Sequence, residues 1–450
     1  MRSKASILVA LLWCLALLSL AVIGVLHTAR LDLLVVKNYG DAIQAHYLAL
    51  AGVEKAKALL YQEAKNRSRS RQSHTGELYN APREFREVAL GRGHFQIVRR
   101  GRSEEGGGIL YGVSDEESRL NLNLATPEEL TKLPGMTPEV VAAVIDWRDE
   151  DNSVSPGGAE AEAYLALQPP SLPRNESLQT VRELLMVRGV SPELLFGQDR
   201  AQNGMLGTEG DEAEESPANQ EGVLENGGWA ALLTVHSSVR NLNAAGDRRV
   251  NVQTADESSL TSIKGITPEI AQAIIAYRGQ NELRSLANLL DVTASQNQNR
   301  PDPGGNRNPQ TDAPGAVPGG PKVVSDNLLM DLADDVTASD APNLPGAVNL
   351  NSASREVLAC LPGLDRDLAQ AIIAHRQSDG FFPNVAWLLK VPGITRDILK
   401  QLAPLVTVRS ETFRILSEGK VDSTGARRRI EVIVNVGPQA IETLAYREDL

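Results

Sequence analysis

The sequence has little cysteine, few aromatic residues and no excess of positive charge. Its two cysteines are Cys14 and Cys360. Because Cys14 lies in an apolar run near the N-terminus, we expect no disulfide framework. Aromatic residues make up 4% of the chain, beside 37 Gly and 24 Pro. The formal net charge of −12 disfavours nucleic acid as a partner, because an acidic protein repels phosphate backbones overall.

The motifs of common catalytic sites are also missing. The sequence contains no nucleophile elbow, phosphate loop or zinc-ligand spacing. Its histidines share no spacing with one another, and they are His27, His46, His74, His94, His236 and His375. We therefore predict that the protein is not an enzyme. Its length of 450 residues suits several compact units rather than one core.

A long uncharged apolar stretch follows the first basic residues. Arg2 and Lys4 precede a run from Ala5 to Leu26 without a charged residue, and about 20 helical residues cross a bilayer core. We predict a membrane span from Ser6 to Leu26. The basic residues come first, so the N-terminus is expected in the cytoplasm and the body in the periplasm. An ordinary secretory signal peptide is the alternative interpretation.

Small residues lie directly between the basic residues and the apolar run. Cleavage between Ala5 and Ser6 would therefore remove a leader of residues 1–5 and leave the hydrophobic helix on the mature protein. This order resembles that of type IV pilins and pseudopilins. Most of them carry Glu as the fifth residue after the cut, where this chain has Ala10; the K-type minor pseudopilin usually lacks that Glu.

Apolar residues continue beyond the span at helical spacing. They recur at intervals of three and four from Leu31 to Leu60, and no proline interrupts them, which is typical of an amphipathic helix. Together with the span, they predict one helix over residues 6–65, half in lipid and half packed on a folded domain. The Arg- and Ser-rich run from Lys65 to Ser73 predicts a solvated loop rather than a nucleic-acid patch.

Strand-like runs lie in two distant parts of the chain. One hairpin is predicted within residues 92–115, with Gly106–Gly108 at its turn, and another within residues 409–436. Because a two-stranded ribbon is marginally stable alone, we expect both hairpins to join in one four-stranded antiparallel sheet beside the long helix. The predicted fold class is α+β: a pilin-like N-terminal helix on a small antiparallel sheet, split by a large helical insertion.

The insertion contains a repeated turn pattern of Gly between apolar residues, followed by a helix-capping residue. Gly permits a positive φ, and the capping residue begins the next helix. The pattern predicts SAM-like helix-hairpin-helix units, with turn glycines at Gly135, Gly189, Gly265, Gly363 and Gly393. Three units have an Asn-containing lead-in and a closing arginine; their repeat is a strong internal one. The arginines are Arg148, Arg278 and Arg376.

Hairpins that bind DNA use a second glycine whose amide faces a phosphate. Each unit here has a capping residue in that place, at Thr137, Ser191, Thr267, Asp365 and Thr395. We therefore predict that the hairpins serve protein packing. The alternative is a membrane-anchored DNA-binding protein similar to the competence receptor, and a third hypothesis is an anchored scaffold unrelated to pili.

One segment makes the resemblance more specific. The sequence Asp-Trp-Arg-Asp-Glu-Asp at 146–151 and Gly-Gly-Ala-Glu at 157–160 is similar to a segment of the K-type minor pseudopilin of type II secretion systems. The resemblance implies a tip subunit, anchored in a bacterial inner membrane, that nucleates the pseudopilus and supports protein export across the outer membrane. It also implies partners: the I- and J-type minor pseudopilins, the major pseudopilin, the inner-membrane secretion platform and exported proteins.

Several carboxylates cluster in and beside this segment. A loop with carboxylates and Gly can supply the oxygen ligands that calcium prefers, and the family resemblance also implies calcium. The candidate ligands are Asp146, Asp149, Asp151, Glu160 and Glu162. Their spacing is not that of an EF-hand, so a solvated acidic loop is the alternative.

The remaining boundaries follow from composition. We predict a helical insertion with the first hairpin repeats at residues 116–198 and an acidic linker at residues 199–228. We also predict an extra helix-hairpin-helix repeat at residues 229–293 and a disordered Pro/Gly-rich linker at residues 294–346. A hairpin pair at 347–408 precedes the C-terminal strands.

Overall fold

The structure is a computed structural model that describes residues 2–70, 76–197, 199, 228–294 and 321–448. The predicted acidic linker lies outside these residues except for Asp199 and Gly228, and so does the part of the second predicted linker from 295 to 320. The described residues form one long helix, a sheet and a three-part helical insertion, so the α+β class is confirmed.

A single helix, called here the long helix, runs from Arg2 to Ser70. The predicted loop from Lys65 was wrong up to Ser70, because this run contains no Gly or Pro and its Lys and Arg favour helix even without an apolar period. Residues 71–75 lie outside the described part. Within that part, the long helix has the length and hydropathy of a membrane span, with a mean hydropathy of 2.8 in its most apolar window.

The head sheet is antiparallel and has six strands, two more than predicted. In spatial order, five of them are Val88–Leu90, Gly93–Ile97, Thr412–Val421, Arg427–Val436 and Ile441–Arg447. The sixth, Ser114–Asp115, also pairs with the third. Both hairpin regions therefore contribute to one sheet, as predicted. The predicted first hairpin is divided, however: Arg99–Arg100 pairs with Ile109–Leu110 in a separate ribbon. Short helices at Glu77–Tyr79, Pro82–Phe85 and Ser103–Glu105 complete this region.

The second half of the long helix packs on one face of the head sheet. Small and apolar helix residues such as Ala49 and Val53 are buried against Phe413 and Ile415. The helix approaches closely at Gly52, where a Cβ atom would overlap the Ser417 hydroxyl. The helix before Asp41 is exposed apart from its first residues, whose side chains are not described.

Three similar modules form the insertion: the first module (residues 116–234), the second module (250–337) and the third module (348–407). Each begins with a two-residue lead-in strand and ends with a two-residue closing strand, and these two strands pair in parallel. This pairing brings the first and last residues of each module together. One hydrophobic core runs through all three modules.

The first module contains strands Leu120–Asn121 and Leu233–Thr234, α-helices Pro127–Thr131, Pro138–Arg148, Ala161–Leu165 and Pro192–Phe196, and 3-10 helices Val181–Met186 and Trp229–Ala231. The second contains strands Val250–Asn251 and Val336–Thr337, α-helices Glu257–Thr261, Pro268–Arg278 and Asp326–Leu332, and the 3-10 helix Leu286–Asp291. The third contains strands Val348–Asn349 and Val406–Thr407, α-helices Arg355–Cys360, Arg366–Ser378 and Arg396–Leu402, and the 3-10 helix Val385–Lys390. Strands Ser238–Arg240 and Asn343–Pro345 pair between modules.

The second module corrects the predicted linker at 294–346. Residues 321–346 are folded and supply the last helix and closing strand of this module. The helix is capped by Ser325, whose hydroxyl accepts the Leu328 N–H, and Leu329 and Leu332 are buried. The apolar side chains of this helix complete a core that residues 229–293 alone would leave open, which explains why it folds.

Candidate functional site

The acidic loop of the first module joins two helices that fix its ends. Asp149 is the C-cap of helix Pro138–Arg148, and Glu160 is the N-cap of helix Ala161–Leu165. Trp147 and Tyr164 on these helices meet edge to face, with ring centroids 5.0 Å apart. The Tyr164 hydroxyl also accepts the Arg188 N–H at 3.2 Å, so the loop is tied to the next hairpin.

Three of the five predicted ligands converge. One carboxylate oxygen from each of Asp149, Asp151 and Glu160 lies within 4.8 Å of the others. Glu160 is only 3% exposed, and among the described residues neither of its carboxylate oxygens has a hydrogen-bond partner; the same holds for Asp149 Oδ1. Buried carboxylate oxygens without donors are costly, and a bound cation would satisfy them. The residues present therefore fit a hard cation such as calcium.

The other two predicted ligands lie differently. Asp146 is fully buried, and both of its oxygens accept the Ser155 N–H at 3.2 Å. It also contacts Gly158, where a Cβ atom would overlap its carboxylate. Asp146 thus supports the loop from beneath the cluster. Glu162 is exposed and outside the cluster, because it lies two residues along the helix from Glu160 and so projects from another side.

The electrostatics of the cluster agree with its geometry. Burial, followed by the negative charge of Asp151 and Asp146, raises the pKa of Asp149. Burial, followed by Asp146 and Asp149, raises the pKa of Glu160. Without a cation the carboxylates repel one another, so binding of a divalent cation would compete with protons for the same oxygens.

The hairpin turns have the predicted conformation. All five turn glycines have positive φ, between 74° and 99°. The capping oxygens accept the N–H groups of the helices that follow: the Thr137 hydroxyl accepts that of Val140 at 3.4 Å, and the Asp365 carboxylate accepts that of Leu368 at 2.8 Å. An amide that a phosphate would need is therefore already used at these turns.

Two repeated contacts were not predicted from the sequence. An arginine in the last turn of the second helix of each module donates to lead-in carbonyls. Arg376, for example, donates to Leu350 and Ala353 at 2.8 Å. The lead-in side chain Asn351 also exchanges hydrogen bonds with the backbone of Phe382. The recurrence of Arg and Asn in the repeats was the available signal, and it reflects how each module holds its lead-in.

The predicted leader and span lie on the long helix. Ala5 and Ser6 are within its first turns, and the span from Ser6 to Leu26 is helical throughout. From Ile7 onward the side chains of the span are exposed. The long helix is therefore a candidate membrane anchor that projects away from the head sheet.

Comparison with known families identifies the segment that carries the acidic loop. Residues 246–294 and 346–407 match the model described as helix-hairpin-helix motif, which confirms that interpretation of the second and third modules. Residues 136–196 match the model described as type II secretion system (T2SS), protein K.

This segment of the chain is therefore similar to protein K of type II secretion systems.

The segment matched to protein K contains Asp146, Asp149, Asp151 and Glu160, together with the hairpin turn at Gly189. The extra helix-hairpin-helix repeat predicted for residues 229–293 is part of a larger second module, which continues to the closing strand Val336–Thr337.

Individual proteins are similar to parts of the chain. The endonuclease/exonuclease/phosphatase family domain-containing protein 1 of Xenopus laevis is 27% identical over 39% of this chain and 24% of the relative. The Bos taurus protein of that name is 26% identical, over 39% and 25%. An uncharacterised protein of Neisseria meningitidis is 36% identical over 16% of this chain and 10% of the relative. The chain thus spans about a quarter or less of the length of these relatives.

A solved structure is similar over most of the chain. It is the GspK–GspI–GspJ complex of the type 2 secretion system of enterotoxigenic Escherichia coli. The matched chain is 14% identical, with a TM-score of 0.44, over 90% of this chain and 97% of that chain.

Proposed function

We propose that this protein is the minor pseudopilin at the tip of a type II secretion pseudopilus, where it nucleates assembly and supports protein export across the outer membrane. The observation that carries the proposal is the division of the long helix. Its first part is apolar and exposed, whereas from Ala45 onward it is packed on the head sheet. One helix can thus anchor the subunit in the inner membrane and then pack with other subunits.

The insertion supports a tip position. It adds three modules between Glu116 and Glu411 on one head, and so wide a head would collide with its copies if repeated along a helical fibre. Ala10 stands where most pseudopilins carry Glu. Such a subunit cannot offer that carboxylate to the N-terminus of a neighbour, which suits a position where assembly starts.

The partners follow from the same helix. We expect the long helix to pack with the I- and J-type minor pseudopilins and with the major pseudopilin, to contact the inner-membrane platform, and to leave the head free for exported proteins. The body then lies in the periplasm and the N-terminus in the cytoplasm. We propose no catalytic role. The relatives whose name includes nuclease and phosphatase families are matched over only about a quarter of their own length.

Calcium is proposed as the resident cation of the acidic loop. Asp149, Asp151 and Glu160 would hold it, and Asp146 would hold the loop. The bound charge would neutralise the repelling carboxylates and so stabilise the loop between its two helices.

The N-terminus of the protein extracted from membranes tests the pilin pathway. Mass analysis should find a first peptide that begins with N-methylated Ser6. An intact Met1, or a cut near Ala29 as for an ordinary signal peptide, would contradict the proposal.

The rival function is DNA binding by the hairpins. A gel-shift assay with the full-length protein in detergent at moderate salt should show no retarded duplex, because the capping side chains occupy the turn amides. Tight binding that weakens steeply with salt would instead support the DNA-binding alternative.

A further inference from the structure

A cavity of about 520 Å³ separates the head sheet from the insertion. Its floor is the sheet face opposite the long helix, because side chains alternate along each strand. Phe413 and Ile415 face the helix, whereas Arg414, Leu416 and Ile433 line the cavity. Within the described part of the chain, the long helix therefore leaves this face of the sheet uncovered, whether it is packed in a membrane or against other helices.

The walls of the cavity are rich in arginine. Eight arginines line it, against six carboxylates, which are Glu104, Glu105, Asp115, Asp199, Glu356 and Glu431. Several of these carboxylates are already engaged: Glu105 by Arg99 at 2.7 Å and Glu431 by Arg414 at 3.4 Å. Glu116 does not line the cavity, but it binds the lining residues Arg119 and Arg414. With Glu116 included, eight arginines face seven carboxylates, so the lining is more positive than a chain of net charge −12 is as a whole.

Some of the arginines retain donors. Arg102 donates to the Ser352 carbonyl and, at 2.9 Å, to the Ser118 hydroxyl. Arg119 donates through one terminal nitrogen to Glu116 at 3.0 Å. Each guanidinium has five N–H donors, so both can also bind a carboxylate of a ligand.

The positive charges of the arginines also repel one another. Burial, followed by the charges of Arg414 and, less strongly, Arg102, lowers the pKa of Arg119 to about 10 despite Glu116. Burial and Arg102 likewise lower the pKa of Arg376 to about 10. An anionic ligand would relieve this repulsion between like charges.

We propose that this cavity binds an extended acidic segment of another polypeptide. Alternating residues of such a segment would place apolar side chains on the floor formed by Val98, Leu416 and Ile433 and carboxylates against Arg102 and Arg119. Guanidinium groups bind carboxylates through two parallel hydrogen bonds. The apolar floor disfavours a nucleic acid, whose phosphates would leave it uncovered. The proposal rests on the cavity alone and does not require the role in secretion proposed above.

Ala231 provides a test that removes no existing contact. It is exposed and lines the cavity at the end of the 3-10 helix Trp229–Ala231. The probe is a short fluorescein-labelled peptide of alternating Glu and Val, added to the full-length protein in detergent, with empty micelles as blank. Its anisotropy should rise on binding, and less so at high salt. Ala231→Glu should weaken binding, and Ala231→Lys should strengthen it, each by about three- to tenfold.

Two controls keep the outcome specific. Ala341→Glu places the same charge on an exposed alanine outside the cavity and should leave the affinity unchanged. A peptide with Gln in place of Glu should bind much more weakly. The proposal is overturned if the acidic peptide does not bind, if the two Ala231 variants bind it equally, or if the Gln peptide binds as well.

Discussion

The guanidinium of Arg414 donates from its Nε to the buried carboxylate of Glu116 at 2.7 Å. Arg414 lies on the head sheet and Glu116 at the first position of the insertion, so this pair joins two parts of the chain that are almost 300 residues apart. Arg119 binds the same carboxylate at 3.0 Å. The join between head and first module is thus a buried ionic cluster.

Glu116→Gln should destabilise this join. Removing the charge leaves two arginines in a buried place without their carboxylate, which typically costs about 3–5 kcal/mol. The free energy of unfolding, measured with denaturant, should fall accordingly. Glu128→Gln, at an exposed position of the same module, is the matched control and should change it little. Equal effects of the two substitutions would contradict the proposed importance of the ionic cluster.

The same cluster predicts a pH dependence. Although burial opposes it, the charges of Arg119 and Arg414 lower the pKa of Glu116 to about 2. The stabilisation from Glu116 is therefore fully present above its unfolded-state pKa of about 4.3 and is lost as the pH falls towards 2. The difference in unfolding free energy between wild type and Glu116→Gln should shrink over this window.

Close contact between the long helix and the head sheet depends on Gly52. A methyl group there would overlap the Ser417 hydroxyl and also contact the Phe95 ring. Gly52→Ala should lower the melting temperature, because overpacking typically costs about 1–3 kcal/mol. Gly40→Ala is a control on the same helix, where nothing lies within 4 Å of the added methyl. It should be neutral or slightly stabilising, and a similar loss in both variants would argue against close packing at Gly52.

The sequence predicted the long helix and the five glycine turns, because each depends on local patterns. It predicted the joined sheet because neither hairpin would be stable alone. It did not predict the helix Asp326–Leu332, since no glycine turn precedes it and its start follows a Pro/Gly-rich run. Its only local signal was Ser325 before an apolar run. The strand Ile441–Arg447 was missed as well; it pairs with its neighbour through a register shift at Ile433/Val434, which a regular alternation does not reveal.

The candidate cation site was predictable in part for a similar reason. Asp149, Asp151 and Glu160 are close in sequence, so a short loop can bring them together. The different roles of Asp146 and Glu162 depend on which sides of two short helices they occupy after packing. That information comes from tertiary contacts around Trp147 and Tyr164, and sequence spacing does not contain it.

Arg376 should be needed for the stability of the third module. It donates to two lead-in carbonyls at 2.8 Å, and Arg376→Ala would leave both without this donor. Unsatisfied buried groups cost about 1–3 kcal/mol each, so the free energy of unfolding should fall by about that amount or more. Arg366→Ala, an exposed position of the same helix, serves as the control. Hydrogen exchange should also become faster at the amides of Leu350 and nearby lead-in residues only in Arg376→Ala.

Calcium binding should depend on Glu160 and not on Glu162. In wild type, calcium should raise the melting temperature at neutral pH and titrate calorimetrically; Glu160→Gln should abolish both effects, and Glu162→Gln should retain them.

The raised pKa of Glu160 adds a test without calcium. A carboxyl group with a raised pKa destabilises the folded state as the pH rises past its unfolded-state value, so Glu160→Gln should be more stable than wild type at neutral pH. This advantage should disappear as the pH falls through the range of carboxyl titration. A calcium response that survives in Glu160→Gln would rule out the acidic loop as the site.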